Sequence, residues 1–212
     1  MIRACAALAL LAATASAEPL STLRNDRVAF SEVGLDGAMT AKVGAAFGVV
    51  ARYGVVVWFD ATVVAGNADP EDFRVRGGAR IDLLVDGPFH LRGTMLHVVR
   101  ATKNTAFEAE SFGTEFRLSP GIERGRWAVD AELDVENAEL TRIAPTDTYR
   151  STVYAMATSR WYFDTATTVR LGVAGSVRVG EVELTARGGW ADSGAKDFLP
   201  QLYVQGGAAL RF

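Results

Sequence analysis

Apolar and polar residues alternate with a period of two over most of the chain, the pattern of a β-strand with one apolar and one polar face. From Phe73 to Val85, for example, the odd positions are apolar or glycine, and the even ones include Arg74, Arg76 and Arg80. About ten segments follow this pattern: 39–49, 55–63, 73–85, 90–101, 107–118, 127–135, 153–163, 169–179, 182–190 and 202–212. The sequence therefore predicts an all-β protein of about ten strands, within a range of about eight to twelve.

Two of these segments change phase midway. In 90–101 the apolar set switches parity near Met95 and Leu96, and in 107–118 it switches near Phe112. One extra residue in a strand has this effect, so the sequence predicts a β-bulge in each segment.

Alternation alone does not say which face meets water, because a soluble sandwich or soluble barrel has the same period with its faces reversed. Three features favour strands that cross a bilayer. The segments run to about 10 to 12 residues, whereas strands in soluble proteins average about 5 to 6. Aromatic residues such as Phe73, Trp127 and Trp190 collect near strand ends, as in the aromatic girdles of membrane barrels. The polar faces carry charges in mid-strand, where a lumen would receive them.

The carboxyl-terminal segment also alternates, and it ends on an aromatic residue. Gln205, Gly207, Leu210 and Phe212 match the terminal-strand signature of Gram-negative outer-membrane β-barrels, which this segment resembles. The resemblance implies a closed antiparallel transmembrane barrel with both termini in the periplasm. It also implies an outer-membrane location among lipid and lipopolysaccharide, and insertion by the outer-membrane assembly machinery, for which these four residues would be the assembly signal.

The amino-terminal segment has the features of a cleaved secretory signal. Met1 to Arg3 is a short positive start, an apolar run follows, and Ala15-Ser16-Ala17 is a small-residue cleavage site. We expect residues 1–17 to direct secretion through the inner membrane. Residues 18–37 are less regular and are predicted to form a periplasmic lead-in, with a short extra strand around Val28 as the alternative. The transmembrane barrel is predicted to occupy residues 38–212.

The net charge of the chain limits the classes of molecule that it is expected to bind. The chain has 22 basic and 25 acidic residues. Removal of the predicted signal takes away Arg3 and no acid, which leaves 21 minus 25, a net charge of -4. Nucleic acid is therefore not an expected partner.

The polar faces indicate a charged lumen. One strand presents four carboxylates on the same face about 7 Å apart, the predicted acidic residues of the lumen: Asp130, Glu132, Asp134 and Glu136. The predicted basic residues are Arg74, Arg76, Arg80, Arg170 and Arg178. Opposite charges facing each other across a pore are typical of a porin-like channel, here a narrow passive one for small hydrophilic solutes or ions. In the alternative interpretation the same residues interlock and close a structural barrel.

Catalytic chemistry has weak support in the sequence. The two histidines are His90 and His97, and no serine stands two residues from either. We therefore expect no enzyme activity, no cofactor and no metal site. An outer-membrane hydrolase that uses His90 beside Asp86 at a rim is the least favoured alternative.

Overall fold

The protein is a closed barrel of ten antiparallel strands, which confirms the predicted all-β fold class. The computed structural model describes Pro19 and residues 26–36, 38–49, 54–64, 72–193 and 201–212, so the predicted signal peptide lies outside the described residues. The strands are β1 Arg27–Asp36, β2 Ala38–Val49, β3 Val55–Val64, β4 Phe73–Asp86, β5 Phe89–Lys103, β6 Phe107–Arg124, β7 Trp127–Pro145, β8 Arg160–Val179, β9 Val182–Asp192 and β10 Gln201–Arg211. One short helix, α1 Asp147–Thr152, lies between β7 and β8.

Each strand pairs with its neighbours in the chain, and β1 pairs with β10 to close the ring. The closing register runs from Val28 opposite Arg211 to Asp36 opposite Tyr203. Beyond β10, Phe212 and Arg27 exchange two backbone hydrogen bonds of 3.0 and 3.3 Å. None of the ten described strands is therefore an edge strand, and all can pair on both sides.

The predicted boundary between a lead-in and the barrel is wrong. Strand β1 lies within the segment 18–37, and it pairs with both β2 and β10. Its alternation is hard to see in the sequence because its outward face includes Ala29 and Ser31 as well as Val33. The barrel thus begins at Arg27 rather than at residue 38.

A second difference concerns the predicted strands 153–163 and 169–179, which belong to one strand, β8. Residues 153–159 lie outside any strand and follow α1, whose first turn is capped by Thr146 accepting a hydrogen bond from the Tyr149 amide. Asp164, expected in a turn, lies inside β8 with φ of 48°. Two errors therefore cancel. The favoured prediction left out β1, although a short strand around Val28 was the stated alternative, and it divided β8, so the predicted count of ten still matches.

The structure has a register shift near one of the two predicted bulges and none at the other. The register between β6 and β7 shifts at Phe112 and Gly113, the predicted place, but the additional residue is Glu139 of β7, so the bulged strand is β7 rather than β6. Strand β5, in contrast, pairs with β6 without interruption. Its apolar pattern changes parity because Leu96 and Val98 point into the barrel while His97 points out. An unpredicted register shift occurs in β4 instead, at Leu83.

The two ends of the barrel differ in their connections. The terminal rim, which carries Arg27 and Phe212, has the two-residue turns 87–88, 125–126 and 180–181 and the connection 50–54. Gly87, Gly125 and Gly180 in the tight turns have φ of 56°, 64° and 64°, a conformation that a side chain would strain. The strands that meet at the opposite, distal rim are separated in the sequence by residue 37 and by the intervals 65–72, 104–106, 146–159 and 193–200. Strands β6 to β8, of 18 to 20 residues, extend beyond their neighbours at this rim.

The barrel has apolar side chains on its outer face and charged side chains on its inner face, the reverse of the arrangement in a soluble protein. Large apolar side chains such as Val43, Phe59, Leu171 and Val173 are more than half exposed on the outside. Charged side chains are buried inside: Glu32, Lys42, Asp60, Arg76, Arg80, Arg92, Glu115, Arg117, Asp130, Glu132, Asp134, Glu183 and Arg187. An exterior so rich in apolar side chains is not expected in water. Among the described residues, no helix is long and apolar enough to cross a membrane.

Candidate functional site

The interior contains a central ion-pair network built around Glu115 of β6. Its carboxylate accepts hydrogen bonds from Arg76 at 2.9 Å, from Arg74 at 2.7 Å and from Arg117 at 2.8 Å. Arg76 also binds both oxygens of Asp60, at 2.8 and 3.0 Å. The network consists of Asp60, Arg74, Arg76, Glu115, Arg117, Asp134, Glu136 and Arg170.

Several of these ion pairs span the lumen rather than joining adjacent strands. Arg74 on β4 binds Glu136 on β7, three strands further around the ring. Arg170 on β8 binds Glu136 at 3.0 Å and approaches Asp36 on β1 to 3.6 Å. The bridges thus form a chain of contacts across the barrel from β4 to β1.

The four predicted acidic residues lie on the inner face of β7, but they do not form one uniform stripe. Glu136 and Asp134 belong to the central network, where Asp134 accepts from Arg117 at 3.3 Å. Glu132 is 3.9 Å from both Arg117 and Arg187. Asp130 lies closer to the terminal rim and has different partners.

Asp130 belongs to a second cluster around Arg92. The Arg92 guanidinium contacts Asp82 at 3.2 Å, Glu123 at 2.7 Å and Asp130 at 3.4 Å. His90 Nε2 is 3.0 Å from the other Asp130 oxygen, and both side chains are buried. His90 thus contacts Asp130 inside the barrel, and its ring is not open at a rim as the hydrolase alternative requires.

Of the five predicted basic residues, Arg74, Arg76 and Arg170 enter the central network. Arg80 is buried elsewhere in the lumen and donates to the Pro19 carbonyl at 2.8 Å. Arg178 lies at the terminal rim, where its guanidinium is 3.4 Å from the Gly125 carbonyl in the turn between β6 and β7. It is the register partner of the buried Glu183 and therefore lies on the inner face, but it is near the end of β8 and outside the central network.

Pro19 lies inside the barrel. It is fully buried, and it lines a small interior cavity together with Trp58, Arg80 and Asp130. This position disagrees with a periplasmic lead-in, because at least one residue of that segment occupies the lumen.

Sequence reasoning missed the centre of the network. Glu115 and Arg117 alternate on the polar face of 107–118, but the supposed bulge obscured their parity. Asp60 interrupts an otherwise apolar strand, a signal that could have identified a buried charge. Arg187 and Lys42 were likewise missed, although both contact Glu32 in the interior.

Free space in the interior is concentrated at the distal rim. A vestibule of about 670 Å³ opens there, lined by residues that include Asp36, Thr62, Asp72, Arg100 and Gln205. Deeper cavities, beside the central network and near Pro19, measure only about 30 and 10 Å³. The network therefore lies where the lumen narrows.

Asp72, just before β4 at the mouth of the vestibule, keeps a negative charge there. Hydrogen bonds from the Thr102 side chain and from the Lys103 amide, the latter at 2.8 Å, lower the pKa of its carboxyl group.

The residues of the predicted assembly signal lie along β10 and at its end. Gln205 and Gly207 pair with Gly34 and Glu32 of β1, and Leu210 pairs with Ala29. Leu210 and Phe212 are exposed on the outside, at 48% and 72%. The segment thus forms the closing seam of the barrel.

Comparison of the sequence with protein-family models gave no match, and comparison with curated proteins gave no significant match.

Proposed function

We propose that this chain is an integral outer-membrane β-barrel protein whose lumen is closed by the central ion-pair network. The observation that carries the proposal is the distribution of side chains: an apolar exterior surrounds a charged interior. In water this arrangement would expose apolar surface and bury ions at the same time, whereas in a bilayer the exterior meets lipid. The short turns at the terminal rim and longer connections at the distal rim also fit a barrel with periplasmic termini.

Closure is supported by the paths of the ion pairs. Arg74, Arg76 and Arg170 reach acids on strands that are not their neighbours, so their side chains occupy the section through which a solute would pass. A closed barrel of this kind has a structural role in the membrane, or it presents its distal rim to other molecules. The porin-like channel is the second candidate, favoured by the polar vestibule that leads to the network.

We expect the protein to fractionate with the outer membrane and to migrate differently in detergent gels with and without boiling. A closed barrel with every strand paired resists detergent until it is heated. Recovery in the soluble periplasm, together with one mobility in both conditions, would contradict the membrane assignment.

A further inference from the structure

A row of polar side chains crosses the exterior on four neighbouring strands. His97, Thr114, Asn137 and Thr167 are register partners on four consecutive strands, β5 to β8. His97 faces outward because Leu96 and Val98 on either side of it are buried, at 0% and 4% exposure. Directly opposed residues of antiparallel strands share a face, so the other three face outward with it. These four residues and Glu139 are called the outer polar row.

The row is organised by its own hydrogen bonds. The Thr114 hydroxyl donates to Glu139 at 2.7 Å, and the Thr167 hydroxyl donates to Asn137 at 3.0 Å. Thr114 is buried, whereas His97, Glu139 and Thr167 are exposed. Ionisable side chains on a surface that meets lipid are unfavourable without a role, so the row is a candidate binding site.

An apolar groove of about 500 Å³ lies directly beneath the row, toward the terminal rim. The small residues Ala79 and Gly93 line it, and its walls include Met95, Phe116 and Val135. These three wall residues form the register row next to the outer polar row. One ligand could therefore place an apolar chain in the groove and a polar group against the row.

The height of the row corresponds to the edge of a membrane. Eight residues of β5 separate Phe89, at the terminal rim, from His97. At about 3.3 Å per residue and a tilt of about 40°, His97 lies about 20 Å along the barrel axis, and Thr167, twelve residues from Val179 at the same rim, lies at about 30 Å. The apolar band of a membrane barrel is about 25 Å tall, so the row lies near its outer boundary, where lipid chains join their polar groups.

We infer that the groove and the outer polar row together bind an outer-leaflet lipid whose acyl chains are attached through amide groups and carry hydroxyls, the chemistry of lipopolysaccharide. This inference rests on the proposed membrane location. An acyl chain occupies the groove, and the amide N–H and hydroxyl groups of the linkage meet the row.

The hydrogen bonds within the row favour such a ligand. Thr114 and Thr167 already donate their hydroxyl protons to Glu139 and Asn137, so the row offers acceptor oxygens, including a carboxylate, together with N–H donors of Asn137 and His97. A ligand that both donates and accepts hydrogen bonds matches such a surface best. The ester linkages of a glycerophospholipid offer only acceptors to that surface. Amide and hydroxyl donors complement it.

The test is a titration of delipidated protein in detergent with lipid A, the acylated glucosamine part of lipopolysaccharide, or with phosphatidylcholine, whose head group and ester linkages have no hydrogen-bond donor, read by native mass spectrometry. We expect lipid A to bind the wild type roughly tenfold more tightly than phosphatidylcholine. His97→Leu with Glu139→Gln should remove this preference by weakening the binding of lipid A. Ala79→Phe, which fills the groove, should weaken binding of lipid A by a similar factor.

Two matched variants on the other side of the barrel serve as controls. Ser31→Leu removes an outward hydroxyl from β1, and Ala45→Phe enlarges an outward side chain of β2; both should bind lipid A like the wild type. Equal binding of the two lipids to the wild type, or unchanged lipid A binding by the row and groove variants, would overturn the inference. Fractionation and heat-modifiable migration of the same variants test the membrane location separately, so failure of one proposal is distinguishable from failure of the other.

Discussion

Replacement of Glu115 by Gln is expected to lower the free energy of unfolding by about 3 to 5 kcal/mol, the range for removing one partner from a buried ion pair. Glu115 is fully buried and neutralises guanidinium groups of Arg74, Arg76 and Arg117. Without its charge, the four guanidinium groups of the network share only the network's other carboxylates, those of Asp60, Asp134 and Glu136, in a volume that has little room for water. Urea unfolding of protein in lipid vesicles, followed by tryptophan fluorescence, measures the change.

Two further variants serve as comparisons for the Glu115→Gln measurement. Glu108→Gln removes an acid whose contact with Lys103 is largely exposed, and should cost less than about 1 kcal/mol. Addition of Arg74→Gln to Glu115→Gln should recover part of the loss, because it removes an excess cation while Glu136, the other partner of Arg74, still pairs with Arg170. If Glu115→Gln were no more destabilising than Glu108→Gln, the network would not hold the interior together.

Arginine at Val173 is expected to destabilise the membrane-inserted barrel by about 2 to 4 kcal/mol, the cost near a bilayer midplane. Val173 is 57% exposed on the outside of β8. It lies six residues from Val179 at the terminal rim and six from Thr167 in the outer polar row, halfway along the apolar band. The same unfolding measurement in vesicles applies.

Val179→Arg is the matched control, since it places the same charge on the same face of the same strand at the rim. We expect it to cost only about 0 to 1 kcal/mol, because the guanidinium can reach the interface. Equal costs at the two positions would mean that depth in a membrane does not determine the effect.

The sequence predicts strands and faces well where bulky apolar residues alternate with charges. In β4 the arginines and the opposing apolar residues make the period plain, and in β9 the outward row of Val182, Leu184 and Trp190 does the same. Strand β1 was predicted only as an alternative, because its outward residues are small or weakly apolar. Strand β8 was divided because Asp164, which looks like a turn residue, lies within it at a register shift.

The partners of the charged residues could not be read from the chain. Arg74 and Glu136 are 62 positions apart, and they meet because the barrel closes with ten strands and brings β4 toward β7 across the lumen. The reach of each arginine depends on the barrel's diameter and on the tilt of its strands, which local periodicity does not specify. The polarity of a face is a local property of the sequence, whereas the closure of a lumen is a property of the whole ring.

The most direct test is current through planar bilayers that contain the purified protein. We predict that the wild type gives no stable conductance steps and that Arg76→Ala, which removes the contacts to Asp60 and Glu115, produces them. Arg142→Ala, which removes an exposed partner of Glu110, should remain silent like the wild type. Regular steps from the wild type would show a channel and contradict closure, and silence from every variant would contradict the claim that the central ion-pair network is what closes the lumen.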